Sequence, residues 1–241
     1  MTVATRLAGI EERIEAACRR SGRHRSDVTL VAVTKTFPAS VVAEGIRAGL
    51  QTLGENRVQE AAGKIAELED LRRRYGVHWH LIGHLQSNKV RRAVELFDAI
   101  HSIDSLRLAE RVEAVCAEKE RLMPIFIEVN LGGEASKAGV SPTELLPLCG
   151  AVARLPHLEL RGLMTVPPFL DDPEEVRPYF QELRHLLAQI RERGEVGETC
   201  RHLSMGMSHD FETAIEEGAT FVRIGTALFG TRDASPNQEE Q

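Results

Sequence analysis

The residues best suited to chemistry stand at the ends of short apolar runs. Lys35 closes VTLVAVTK (28–35). That run is apolar enough to be buried on both faces, so the lysine points into or just above the interior. Desolvation there favours a neutral, nucleophilic amine able to form a Schiff base. A lysine in this place can equally snorkel to water, and Lys35 by itself does not decide between the two. Ser204, Gly206 and Ser208 stand at and after the end of RHLSM (201–205), and Gly225 and Thr226 end TFVRIGT (220–226). Hydroxyls, flexible backbone and a helix predicted to begin near His209 suit an anion. Either loop alone would pass as ordinary turn chemistry. Arg223 lies two residues before Gly225, hence on the same strand face. A guanidinium in the interior needs a ligand or a polar partner, for which Glu55 and Asp104, also at run ends, are the candidates.

Three histidines, His78, His80 and His84, resemble a metal-ligand spacing. No carboxylate or cysteine is placed to complete a site, so hydrogen-bonded histidines are expected and no metal. The four cysteines, Cys18, Cys116, Cys149 and Cys200, form no CxxC. Neither a disulfide framework nor a zinc site is expected, and a reducing compartment fits. Neither GxGxxG nor GxxxxGK[ST] occurs, so nucleotide loops have no motif support.

These residues need a frame. Eight apolar runs alternate with 3.6-periodic stretches: 28–35, 51–56, 77–83, 99–104, 124–130, 158–166, 201–205 and 220–226. Capping signals mark the stretches between them, such as Ser141-Pro142, Asp172-Pro173 and the closing Gly218. Alternation of this kind predicts a parallel sheet with right-handed crossovers. Eight units predict a (β/α)8 barrel of the TIM type over residues 1–230, preceded by an extra helix at 3–19 and followed by a polar tail at 231–241. An open doubly wound sheet is the alternative. In a barrel, function sits at the carboxyl ends of the strands, and the loops after strands seven and eight often hold phosphate. That geometry gathers Lys35, Glu55, Asn56, His84, Gln86, Asp104, Asn130, Thr165, Ser204, Arg223, Gly225 and Thr226 at one end.

Composition narrows the classes. The net charge of -6 over 241 residues argues against nucleic acid. No run approaches the roughly 20 apolar residues of a membrane span. Glu11, Glu12, Arg13 and Glu15 interrupt the first apolar stretch, unlike a signal peptide. A cytoplasmic protein is expected, and the charged outer helix faces lean towards a monomer.

VAVTK (31–35), GENRVQE (54–60), WHLIGHLQSNK (79–89) and SMGMSHDFETAIEEGATFVRIGTALFG (204–230) together resemble the pyridoxal phosphate homeostasis proteins, formerly called proline synthase co-transcribed proteins. The likeness runs in order over about residues 5–230. It implies a single barrel of fold type III, related to the N-terminal domain of alanine racemase. It further implies pyridoxal 5'-phosphate held as an internal aldimine on Lys35, with Ser204, Gly225 and Thr226 on the phosphate. Arg223 would face the pyridine nitrogen and Asn56 would lie beside the ring; His80 receives no chemical role. The implied function is non-catalytic homeostasis of vitamin B6 and of amino and keto acids, with cofactor-dependent apo-enzymes as recipients. A racemase-like enzyme is the alternative, and a metal-dependent hydrolase built on the three histidines comes last. An arginine cannot take a proton from the pyridine nitrogen, so carbanion stabilisation should be weak. The second acid/base that racemases draw from another domain has no counterpart expected here, because Tyr75 and Tyr179 fall on helices.

Overall fold

The computed structural model describes residues 1–133 and 138–230; the predicted tail at 231–241 lies outside them. Chain order is α1 (Val3–Arg20), β1 (Thr29–Val33), α2 (Ala39–Arg47), β2 (Thr52–Glu55), α3 (Val58–Glu67), α4 (Glu69–Tyr75), β3 (His78–Leu81), α5 (Val90–Leu96) and β4 (Ala99–Ile103). It continues α6 (Leu106–Glu118), β5 (Met123–Glu128), α7 (Pro142–Val152), β6 (Leu158–Met164), α8 (Pro173–Glu192), β7 (His202–Met207), α9 (Phe211–Glu216), β8 (Phe221–Ile224) and α10 (Thr226–Phe229). The strands pair in parallel, each with the next, and β8 closes onto β1. All eight apolar runs are therefore strands of one closed barrel, and the open sheet is excluded.

The strands form where expected because their helix-facing residues have large apolar areas to bury. Leu30, Ala32, Leu53, Trp79, Leu81, Ile100, Leu203, Met205, Val222 and Ile224 pack into one apolar layer with the helices. Asp172 caps α8 by accepting from the Glu174 amide at 2.9 Å, with Pro173 at the first helical position. The chain after α9 turns at Gly218 with φ +99°. Two expectations needed adjustment. The stretch 57–74 is two helices, because Leu68 leaves helical geometry (φ -104°, ψ 8°) between α3 and α4. Helix α9 starts at Phe211 rather than near His209.

The extra helix α1 packs on α9 and α10, beside the seam where β8 meets β1. Ion pairs Arg13–Glu212 (2.8 Å) and Arg20–Glu216 (2.7 Å) flank the apolar face of Ile10, Ile14 and Ala17. Among the described residues no helix is long and apolar enough to cross a membrane.

Candidate functional site

The barrel interior is not a plain apolar core. Phe126, His80, His101, His202 and Phe221 form a ring cluster, with His101 stacked on Phe126 at 4.1 Å between centroids. From it a hydrogen-bonded column rises towards the carboxyl ends of the strands. His80 Nδ1 and His101 Nε2 lie 3.0 Å apart, His101 Nδ1 and Ser204 Oγ 2.9 Å, and Arg223 Nη1 donates to Ser204 Oγ at 2.9 Å. A guanidinium only donates, so Ser204 Oγ accepts from it. The direction of the two bonds at His101 follows its tautomer, one ring nitrogen donating and the other accepting. Burial holds both rings neutral: His80 is pushed down to about 4 and His101 well below its ordinary value.

Arg223 heads this column, 4% exposed. Its Nη1 also donates to the Ser204 carbonyl (2.7 Å) and Nη2 to the Thr165 carbonyl (2.8 Å). Neither Glu55 nor Asp104 pairs with it; Glu55 is taken by Lys64 and Thr34, and Asp104 lies 3.4 Å from His84. Burial lowers Arg223 to about 10, opposed by the charges of Glu128 and Asp210, so it stays cationic at neutral pH. Glu128, 8% exposed, is raised to about 7 chiefly by burial.

Above the arginine opens a cleft of about 380 Å³, lined by Lys35, Asn56, Arg223, Gly225 and Thr226 together with Ser208, His209 and Asp210. Val33, Ile82, Val166, Phe169 and Met207 supply its apolar wall. Five of the six residues singled out as cofactor-binding thus converge. Ser204 does not: it is fully buried and its hydroxyl is committed to Arg223 and His101. Ser208 occupies the cleft instead, its Oγ accepting from the Gly225 amide at 3.2 Å. Period-2 alternation along β7 puts Ser204 inside the barrel but cannot say how deep. The loop hydroxyl four residues on is the one that reaches the mouth.

The strand before Lys35 ends at Val33, leaving the lysine half-buried in a turn. Asn56 is seated by close packing, since a Cβ on Gly83 would meet the Asn56 carbonyl at 2.4 Å. The Gly225 backbone similarly nests on Val33, where a Cβ would lie 3.3 Å from the Val33 carbonyl oxygen. The three candidate metal histidines diverge. His78 and His84 are exposed, and His80 belongs to the interior column.

Against known proteins, the model of the alanine racemase N-terminal domain matches residues 6–233. Two relatives carry the name pyridoxal phosphate homeostasis protein. That of Aquifex aeolicus is 45% identical over 96% of this chain and 99% of its own, and that of Pseudomonas aeruginosa is 44% identical over 96% of each. The solved structure of PipY from Synechococcus elongatus with PLP bound superposes with a TM-score of 0.83 at 39% identity, covering 95% of this chain and 100% of that one. The chain belongs to the alanine racemase N-terminal domain family and, within it, to the pyridoxal phosphate homeostasis proteins.

Proposed function

We propose that this protein holds pyridoxal 5'-phosphate in the cleft above Arg223, tied covalently through Lys35, and serves intracellular homeostasis of that cofactor rather than turnover. The observation that carries the reading is the convergence, in one cleft, of a primary amine, a hydroxyl- and amide-rich turn and a buried guanidinium. The donor set fits the group. Lys35 would bind the aldehyde, and Ser208, Thr226 and the Gly225 turn would bind the phosphate. Asn56 and the apolar wall would hold the ring flat, and Arg223 would meet the ring nitrogen. The volume lies within the usual range of small-ligand sites. PLP bound in PipY and the names of the relatives support the same cofactor.

When bound, pyridoxal phosphate supplies an aldehyde that captures amines and a ring that can delocalise carbanion charge. The residues here favour the first of these. Arg223 donates hydrogen bonds only, so an acceptor facing it gains a hydrogen bond and no proton. Asp210 accepts from the Met207 amide at 2.6 Å, and His209 Nε2 sits 2.8 Å from the Asp171 carbonyl, so both are engaged. Tyr75 ends α4 and Tyr179 lies within α8, and neither lines the cleft. These features support binding and buffering of the cofactor rather than turnover. Release to apo-enzymes by a cytoplasmic monomer completes the proposal, and the four buried, unpaired cysteines suit a reducing compartment.

A spectral titration with pyridoxal phosphate tests the reading. Wild type should develop a visible absorbance band that Lys35→Ala lacks, and the loaded protein should leave L-amino acids uninverted. Steady racemisation lost with Lys35→Ala would establish an enzyme instead. Ser208→Ala should weaken binding by about 1–3 kcal/mol, the scale of a charge-assisted hydrogen bond. Unchanged affinity there would remove Ser208 from the phosphate site.

A further inference from the structure

Lys35 sits at the centre of a four-residue turn, Thr34 to Phe37, closed by the Phe37 amide donating to the Thr34 carbonyl at 3.1 Å. The next residue, Thr36, has φ +66°. That position of such a turn ordinarily takes glycine or asparagine, and a β-branched side chain there is an outlier. Among the described residues, only Thr36 and Glu120 combine positive φ with a side chain. The left-handed state of such a residue is disfavoured by roughly tenfold or more, so something must hold it.

Helix α3 does so from two adjacent turns. Glu60 Oε1 accepts from the Thr36 amide. Lys64, four residues on, donates to the Thr34 carbonyl at 2.7 Å, to Glu55 Oε1 and to Glu60 Oε1 at 3.3 Å. Thr34 Oγ1 completes the cluster with a 2.5 Å bond to Glu55 Oε1. The Lys64 and Glu55 side chains are 6% and 0% exposed. Burying such a pair is costly, and swapping it for apolar residues is often neutral or stabilising, so barrel stability alone does not account for it. The pair holds Thr34 and, through Glu60, reaches Thr36, so the cluster bonds both residues that flank Lys35, while the β1–β2 ladder itself stops at Thr34.

We propose that Glu60 and Lys64 are positioning residues that lock the turn around Thr36 and so present the Lys35 amine to the cleft. This rests on the reading of Lys35 as the cofactor's anchor. Two measurements on the full chain test it: amide hydrogen exchange at Thr36 without cofactor, and the rate at which pyridoxal phosphate becomes borohydride-fixable on Lys35. Glu60→Ala, which removes the acceptor, should expose the Thr36 amide to exchange and slow attachment about tenfold, the bias lost when a left-handed threonine is released. Adding Thr36→Gly to Glu60→Ala should restore most of the rate, because glycine takes positive φ without penalty. A merely structural role for Glu60 would not be rescued in this way. Attachment at the wild-type rate in Glu60→Ala, or a double variant as slow as Glu60→Ala, overturns the proposal. If wild type gives no adduct on Lys35, the anchor reading fails by itself. Exchange at Thr36 then still decides the lock: protection lost in Glu60→Ala supports it, and protection kept refutes it.

Discussion

The two faces of the same eight strands are packed by different rules. Along β8, Val222 and Ile224 face the helices in an apolar layer, while Phe221 joins the interior ring cluster and Arg223 tops the polar column. On the outside, area removed from water does the stabilising and neighbours are interchangeable so long as volume is kept. On the inside the polar atoms of the column each depend on a particular partner, so removing one strands another. The outer layer should therefore set stability, and the inner column should set what the cleft can hold.

The largest expected effect is on the outer layer. Phe180, fully buried on α8, should cost about 3–5 kcal/mol on truncation to alanine. Its denaturant midpoint should fall while pyridoxal phosphate affinity per folded molecule stays put. A loss of affinity without a loss of stability would erase the division of labour.

Glu128 sharpens the comparison through pH. Burial raises its carboxyl from an ordinary 4.5 to about 7. The unfolded chain then gives up this proton first as pH rises. The associated stability is present below pH 4.5 and is lost on the way to 7, by roughly 3 kcal/mol. Glu128→Gln should match wild type in urea near the lower limit and exceed it above the upper. A gap independent of pH would show that Glu128 is not desolvated as described.

For Arg223→Leu the expected stability change is smaller, about 1–3 kcal/mol, from the Thr165 carbonyl and the Ser204 hydroxyl losing their guanidinium donor. Binding of pyridoxal phosphate should suffer most here, by tenfold or more on the scale of a charged hydrogen bond. The smallest effect is expected for His101→Phe, which keeps the stack on Phe126 and breaks the links to Ser204 and His80. It should cost about 1 kcal/mol, the net worth of a buried hydrogen bond. A binding change equal to that of Arg223→Leu would show the column acting as one unit.

The contrast also explains what could be read from the sequence. Strand and helix periods report the outer layer, so all eight strands and the extra helix were legible from runs such as VTLVAV and FVRI. Lys35, Asn56, Arg223, Gly225 and Thr226 were legible because a barrel sends strand ends to one mouth. Depth and backbone handedness have no such period. Ser204 lies buried below the cleft that Ser208 lines, nothing in AIHSID marks His101, and nothing in VTKTF announces a left-handed threonine. Nothing in the helical period marks Glu60 and Lys64, because their partners come from the turn after β1 and from β2.

The central claim is that Lys35, alone among the lysines, anchors the cofactor. Loading the protein with pyridoxal phosphate, reducing with borohydride and mapping peptides by mass tests it most directly. The account predicts a pyridoxyl group on the peptide containing Lys35 and none elsewhere at stoichiometric cofactor. An adduct spread over surface lysines, or a Lys35→Ala variant labelled to the same extent, would contradict it.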